Sequence, residues 1–302
     1  MYSVLVVAYK RPQLLEAIIK GVPDFVESIY IHVDQSTEGD KENSKVIELA
    51  KEMQSLDSRI SVKIASSNLG PGHAVPAAVN WAIEGSKSIL VLEDDCLPNE
   101  SAYEFFQRNH NLIAEKYIIC GTSPYDFQNN KILQTENTTS SYALISGWMI
   151  GIETWNQLNI ESALDLRYKH IVRKSMHKPR LLLPLSFFYA SIIRIRRGHV
   201  KAWDSIFCFS MIMNDILSII PNVTVIDNLG FDLVASNTKA TSGDLSNVYN
   251  KSSDIKPSLA LNLSDGARQR TDSLITKSIY HMGLRNYLSP VKSSLRAYRG
   301  TR

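Results

Sequence analysis

Apolar runs of strand length recur through the first 121 residues, separated by amphipathic stretches. They fall at "SVLVVAY" (3–9), "SIYIHV" (28–33), "ISVKIA" (60–65), "SILVL" (88–92) and "YIICG" (117–121), with helical patterns near 12–20, 41–54, 74–84 and 101–115. Hydrophobicity inside these runs is continuous rather than alternating, so both faces of each strand are expected to be covered. Strand–helix alternation of this kind implies a parallel sheet with right-handed crossovers. In such a sheet the ligand crevice lies beyond the carboxyl ends of the strands.

From 122 to about 250 the pattern changes. Polar loops surround "SSYALISGWMIGIETW" (140–155), followed by a basic and apolar segment (173–201) and "KAWDSIFCFSMIMN" (201–214). A final strand, "VTVID" (223–227), leads into "NLGFDLVASNT" (228–238). Beyond about Asn250 the chain is Ser-rich and basic, with little core-forming pattern until 273–299. Three stretches are therefore expected: 1–121, 122–250 folded onto the same sheet, and a basic extension over 251–302. No internal repeat is visible.

The 302 residues are 44% hydrophobic and 21% charged, which describes a globular protein rather than a disordered or fibrous one. A formal charge of +3 gives no whole-protein case for nucleic acid as a partner. Cys96, Cys120 and Cys208 are odd in number and widely spaced, with neither a disulfide framework nor a zinc pattern, which favours a reducing compartment. The start "MYSVLVVAYKRP" lacks a basic n-region, and no run reaches the roughly 18 apolar residues a spanning helix needs. A cytoplasmic location is expected.

The candidate chemistry begins with "VLEDD" (91–95), where a buried strand ends in Glu93, Asp94 and Asp95. Like charges this close destabilise one another unless a counter-charge arrives, and hard oxygen ligands suit Mn2+ or Mg2+. A solvated acidic turn capping the next helix would carry the same residues. "AYKRP" (8–12) ends the first strand, so Arg11 is placed either to meet a nucleobase or phosphate or to sit at a helix start. Asp34 in "HVDQ" could accept from a uracil N–H or a ribose hydroxyl, or cap a turn. "SSNLGPGHAV" (66–75) is a glycine-bearing turn before a helix, whose N–H groups could face an anion. It matches neither a Walker A loop nor GxGxxG. Asp204 opens an apolar helix, as a cap or as a general base taking a proton from an acceptor hydroxyl. Gly147 and Trp148 could form a platform for a sugar face, or belong to the core.

Taken together, "AYKRP", "IYIHVDQ", "NLGPGHAVPAAVNWAIE", "VLEDDCLPNESAYEFF", "SGWMIGIETW", "KAWD" and "DNLGFDLVASNT" resemble the bacterial GT-A-type glycosyltransferase-like proteins labelled HlpA-like. They are more distantly similar to the animal N-acetylglucosaminyltransferase that begins complex N-glycans. The resemblance runs from about residue 3 to 238, in order. It implies a GT-A fold, with a nucleotide-sugar-binding half (1–121) and an acceptor-binding, catalytic half (122–250). It implies nucleotide contacts from Ala8, Tyr9, Arg11, Asp34, Asn68, Gly72, His73, Glu93 and Asp94, with Asp95 on the metal. Gly147, Trp148, Trp203, Asn228 and Gly230 are implied at the sugars, and Asp204 as the base of an inverting transferase. Two departures stand out. The family's His-Thr pair is Asn237-Thr238 here, and its Trp-Gly-Trp is Ser146-Gly147-Trp148.

The implied reaction moves a sugar from a nucleotide donor, UDP by the resemblance, to a glycan or lipid-linked glycan in surface-polysaccharide synthesis. Two rivals share the sheet. A sugar-1-phosphate nucleotidyltransferase usually carries a glycine-rich basic loop after its first strand, and "AYKRPQLLEA" has no glycine. A non-catalytic nucleotide- or carbohydrate-binding module is the other. The segment 173–201 brackets an apolar run with cations, which suits either an interfacial helix at an anionic membrane or a packed helix with solvated ends. The tail 275–302 is basic and loosely amphipathic too. Peripheral contact with a membrane is thus an expectation of the sequence.

Overall fold

The computed structural model describes residues 2–36, 39–124, 135–197, 203–230 and 257–278. The first half runs β1 (Ser3–Ala8), α1 (Pro12–Lys20), β2 (Ile29–Val33), α2 (Lys41–Leu56), β3 (Ile60–Ile64), α3 (Pro71–Glu84), β4 (Ser88–Glu93), β5 (Cys96–Pro98), α4 (Ala102–Asn109) and β6 (Ile118–Cys120). The remainder runs β7 (Asn137–Ser140), β8 (Trp148–Gly151), α5 (Ile152–Leu158), α6 (Ile160–Asp165), α7 (Tyr168–His177), α8 (Leu182–Arg196), α9 (Asp204–Met213), β9 (Ser218–Ile220), β10 (Ile226–Asn228), β11 (Leu261–Asn262) and α10 (Asp265–Ser278).

Nine strands form one sheet in the order β11-β7-β9-β6-β8-β4-β1-β2-β3, and β5 pairs with β10 in a separate ribbon. The expected α/β architecture is present. β4, β1, β2 and β3 are mutually parallel, as the continuous apolar runs require. Their side chains divide cleanly between two cores. Leu5, Val7, Ile89 and Val91 face the layer containing α3, α8 and α9, while Val4, Val6, Leu90 and Leu92 face α1, α2 and α4. A strand covered on both sides cannot alternate polar and apolar residues.

Three features differ from the pattern's expectation. β6 is not the neighbour of β4; β8 lies between them, antiparallel to both. The expected strand 223–227 is confined to Ile226–Asn228 and leaves the main sheet for β5. Its earlier residues are held differently, with Thr224 accepting from the N–H of Ser123 and Val225 donating to the carbonyl of Gly121. Third, β7 and β9 were not anticipated. β7 reads NTTS, yet all four residues are buried. Asn137–Ser140 and the middle of α10 lie together, with Thr138 bonded to Thr271 and Asp272 accepting from Ser140 and Ser141. The main sheet therefore includes Leu261 and Asn262, which fall in the stretch read as an extension.

Candidate functional site

In the order β4-β1-β2-β3, the chain leaves β1 toward β2 and later returns to β4 on β1's other side. Strand order reverses there, and the crevice beyond the carboxyl ends of β1 and β4 is the natural ligand position. Both ends carry the residues singled out from sequence. Ala8 closes β1 opposite Val33, and Glu93 closes β4 opposite Val7.

Asp94 binds these two strand ends together. Its Oδ2 accepts from the N–H groups of Tyr9 (2.8 Å) and Lys10 (3.2 Å), and its Oδ1 accepts from Arg11 Nη1 (2.9 Å). The same Arg11 nitrogen donates to Asp95 Oδ2 at 2.9 Å. The Asp94 side chain is 7% exposed and that of Asp95 20%, so Asp95 is the carboxylate a solute reaches more easily.

Burial, together with the charges of Asp95, Asp94 and Asp204, pushes the Glu93 carboxyl from its ordinary 4.5 up to about 8, with only the Arg11 guanidinium opposing. Asp94 is raised foremost by burial, against which the Tyr9 N–H and Arg11 act. Asp204 is likewise raised by burial. It occupies the first position of α9, and its Oδ1 is buried with no hydrogen-bond partner among the described residues. Four carboxylates thus share one region, with the Arg11 guanidinium the one among the described residues shown between them.

Asp34 has a different task. Its two oxygens accept from the N–H groups of Leu69 (2.8 Å) and Gly70 (2.9 Å), which fastens the turn entering α3 to the end of β2. At 4% exposure the carboxylate serves the turn, and a ligand would meet the turn first. In that turn, Asn68 is exposed and donates to the carbonyl of Gln35 (2.6 Å), with Tyr9 Oη at 3.4 Å. Gly72 and the exposed His73 lie in the first turn of α3.

The ribbon of β5 and β10 roofs the acids. Leu229 N–H donates to the Asp95 carbonyl at 2.8 Å, and Asn228 reaches Ser146 Oγ at 2.8 Å while accepting from Gly230 N–H at 2.9 Å. A Cβ added at Gly230 would overlap Asp95 Oδ2, so this position has to be glycine for the Asp95 carboxylate to sit where it does. Gly147 takes φ +75 and its carbonyl accepts from Gly121 N–H, turning the chain into β8.

The sugar platform expected at Trp148 is corrected by its burial. Trp148 is 1% exposed and packs 4.8 Å from Phe207 and 5.6 Å from Trp203, itself 3% exposed. Neither indole offers a face to a ligand; both brace α9 and hence Asp204 from beneath. Asn237-Thr238 lies outside the described residues.

Two supports had no sequence signal. Asn43 on α2 is buried and donates to the carbonyls of Tyr9 (2.7 Å) and Asp34 (2.9 Å), tying the ends of β1 and β2. Lys10 pairs with Asp40, the cap of α2, at 2.5 Å. An Asn in a first helical turn and an Asp before it read simply as caps.

The donor atoms here are hard oxygens, which suit Mg2+ or Mn2+. Among the described residues no three His, Cys, Asp or Glu side chains converge as a ready-made cage. A divalent ion therefore fits as one held by one or two carboxylates and completed by substrate oxygens and water. The uncompensated charge around Glu93 is what such an ion would relieve.

An open, mostly parallel α/β sheet with an acidic crevice at its switch point defines the class by architecture. No family model matches the chain, and no curated protein does. Among solved structures it overlaps the mannosyltransferase PcManGT from Pyrobaculum calidifontis, in complex with GDP-Man and Mn2+, at 16% identity over 52% of this chain and 47% of that one, TM-score 0.37. Mouse xyloside xylosyltransferase 1, apo form, aligns at 12% identity over 70% and 81%, TM-score 0.36. A UDP-glucose pyrophosphorylase complexed with UDP-glucose aligns at 10% over 52% and 79%, TM-score 0.29. The chain spans about half the length of the mannosyltransferase.

Proposed function

We propose that this chain is a GT-A-type, nucleotide-sugar-dependent glycosyltransferase that inverts the anomeric centre. One observation carries the proposal: Asp204, with a buried oxygen that has no hydrogen-bond partner among the described residues, stands at the switch-point crevice with Glu93, Asp94 and Asp95, whose charge Arg11 opposes.

Each residue then has a distinct task. Arg11 and Asp94 hold the ends of β1 and β4 in register, leaving Asp95 as the accessible oxygen donor. Asp34 shapes the nucleotide side through the turn Asn68–Gly70 that it fastens. Asp204 Oδ1, buried on a rigid helix start, accepts the proton of an acceptor hydroxyl, and its raised pKa moves it toward the working range of a base. Asp95, with Glu93 nearby, would hold a Mn2+ or Mg2+ ion, which would supply Lewis-acid relief of charge on a diphosphate leaving group. A hydroxyl of a glycan or lipid-linked glycan is the acceptor class, and UDP the nucleotide suggested by the family resemblance. No carboxylate needs to act as a nucleophile, hence inversion.

The test is a panel of UDP-, GDP-, dTDP- and CMP-sugars assayed for hydrolysis and transfer with and without Mn2+. Wild-type turnover should require the ion. Asp204→Asn should lower turnover by roughly 10²–10⁴-fold while metal-dependent nucleotide binding, read by calorimetry, changes little. Wild-type turnover in Asp204→Asn removes the base, and pyrophosphate-dependent nucleotidyl exchange without sugar transfer would replace the proposal with a nucleotidyltransferase.

A further inference from the structure

The pair of helices α7 and α8 ends in a tip that the core does not use. α8 buries Leu185, Phe188 and Ile192, and α7 buries Ile171. Pro184 falls in the first turn of α8, where its missing N–H leaves no bond unmade, so the helix runs through it. At the joint between the helices the burial reverses. Met176 is 75% exposed, Leu183 46%, Val172 44% and Leu182 38%.

Cations are interleaved with these apolar side chains. From 166 to 197 the chain contains no Asp or Glu. Lys174 and Lys178 are satisfied by Asp215, at 2.5 and 2.6 Å. Lys169, Arg173 and Arg180 are exposed and have no ion-pair partner among the described residues. Helical spacing puts Lys169, Val172, Arg173 and Met176 on one face of α7.

We propose that this tip docks on an anionic lipid surface, with Val172, Met176, Leu182 and Leu183 entering the headgroup boundary and Lys169, Arg173 and Arg180 meeting the phosphates. Apolar burial and cationic attraction act together at such an interface. A nucleic acid would take the cations and offer nothing to the four apolar side chains. No helix among the described residues is long and apolar enough to cross a membrane, so the contact is peripheral. Lys174 and Lys178 tie the tip to Asp215, just past the C-terminal end of α9, whereas Asp204 opens that 10-residue helix at its other end, about 15 Å away. Docking therefore leaves the crevice open to solutes. The proposal does not depend on the transferase assignment.

The experiment is flotation of the full chain with vesicles of phosphatidylcholine alone, or with roughly a third phosphatidylglycerol, at low salt. Binding to the anionic vesicles should exceed binding to the neutral ones at least about tenfold. It should fall to the neutral level in Arg173→Glu/Arg180→Glu, and several-fold in Met176→Ser/Leu183→Ser. These side chains are exposed, so both variants should melt with wild type, and each pair tests the surface independently. Equal binding to both vesicle types, or wild-type binding by both variants, overturns the proposal. So does a duplex oligonucleotide that displaces vesicles and binds Met176→Ser/Leu183→Ser undiminished, since the cations would then serve nucleic acid.

Discussion

At the residue scale, identity at a strand end says what a side chain can do, and its neighbours decide what it does. Asp34 and Asp95 both follow a buried strand, yet Asp34 is occupied by two backbone N–H groups while Asp95 faces the crevice. Gly230 illustrates the same point from the other side. A methyl there would displace Asp95, so Gly230→Ala should weaken Mn2+ binding, measured by titration without donor, at least about tenfold, while the melting temperature drops far less than for a core substitution. Glu93 sets a pH dependence. Its native pKa near 8 lies above the ordinary 4.5, so the folded state holds a proton that the unfolded chain releases. The cost to stability is absent below about pH 4.5, grows as pH rises and is complete above about 8. In chelator-treated buffer, Glu93→Gln should match wild type near pH 4.5 and melt above it near pH 8; a constant difference would contradict the shift. The acids and Arg11 were legible from sequence because each follows an apolar run. The burial of Trp148 was not, since an indole beside a glycine fits a loop or a core equally well.

Secondary-structure elements show where hydrophobic pattern reports a fold and where it is silent. β1, β2 and β4 were readable because two covered faces impose nearly unbroken apolar runs, whereas the edge strand β3 alternates, with Ile60, Val62 and Ile64 on the core face and Lys63 exposed. β7 was unreadable because NTTS is buried through hydrogen bonds, not hydrophobicity. Its partner is α10, whose Asp272 accepts from Ser140 Oγ (2.7 Å), Ser141 N–H (2.8 Å) and Ser141 Oγ (2.8 Å). A polar strand is buried only if its partners come with it, and here they come from much later in the sequence. Asp272→Ala leaves those donors unsatisfied, at about 1–3 kcal/mol. For a chain of this size that corresponds to a melting-temperature drop of roughly 2–10 °C. Hydrogen exchange should quicken in β7 and α10 before it does in β1; uniform exchange would show that the clamp is not local.

Across the whole molecule, the first half supplies the crevice floor and the second half supplies its roof and Asp204. Leu229 bonds the backbone at Asp95, and Gly230 leaves space for its carboxylate. A chain emerging from the ribosome can therefore assemble four parallel strands and still be chemically silent, because the acid remains unroofed and Asp204 has not been synthesised. On the transferase reading proposed above, competence arrives late, so an unfinished polypeptide would not squander activated sugar. Activity would then double as a signal that synthesis has reached residue 230.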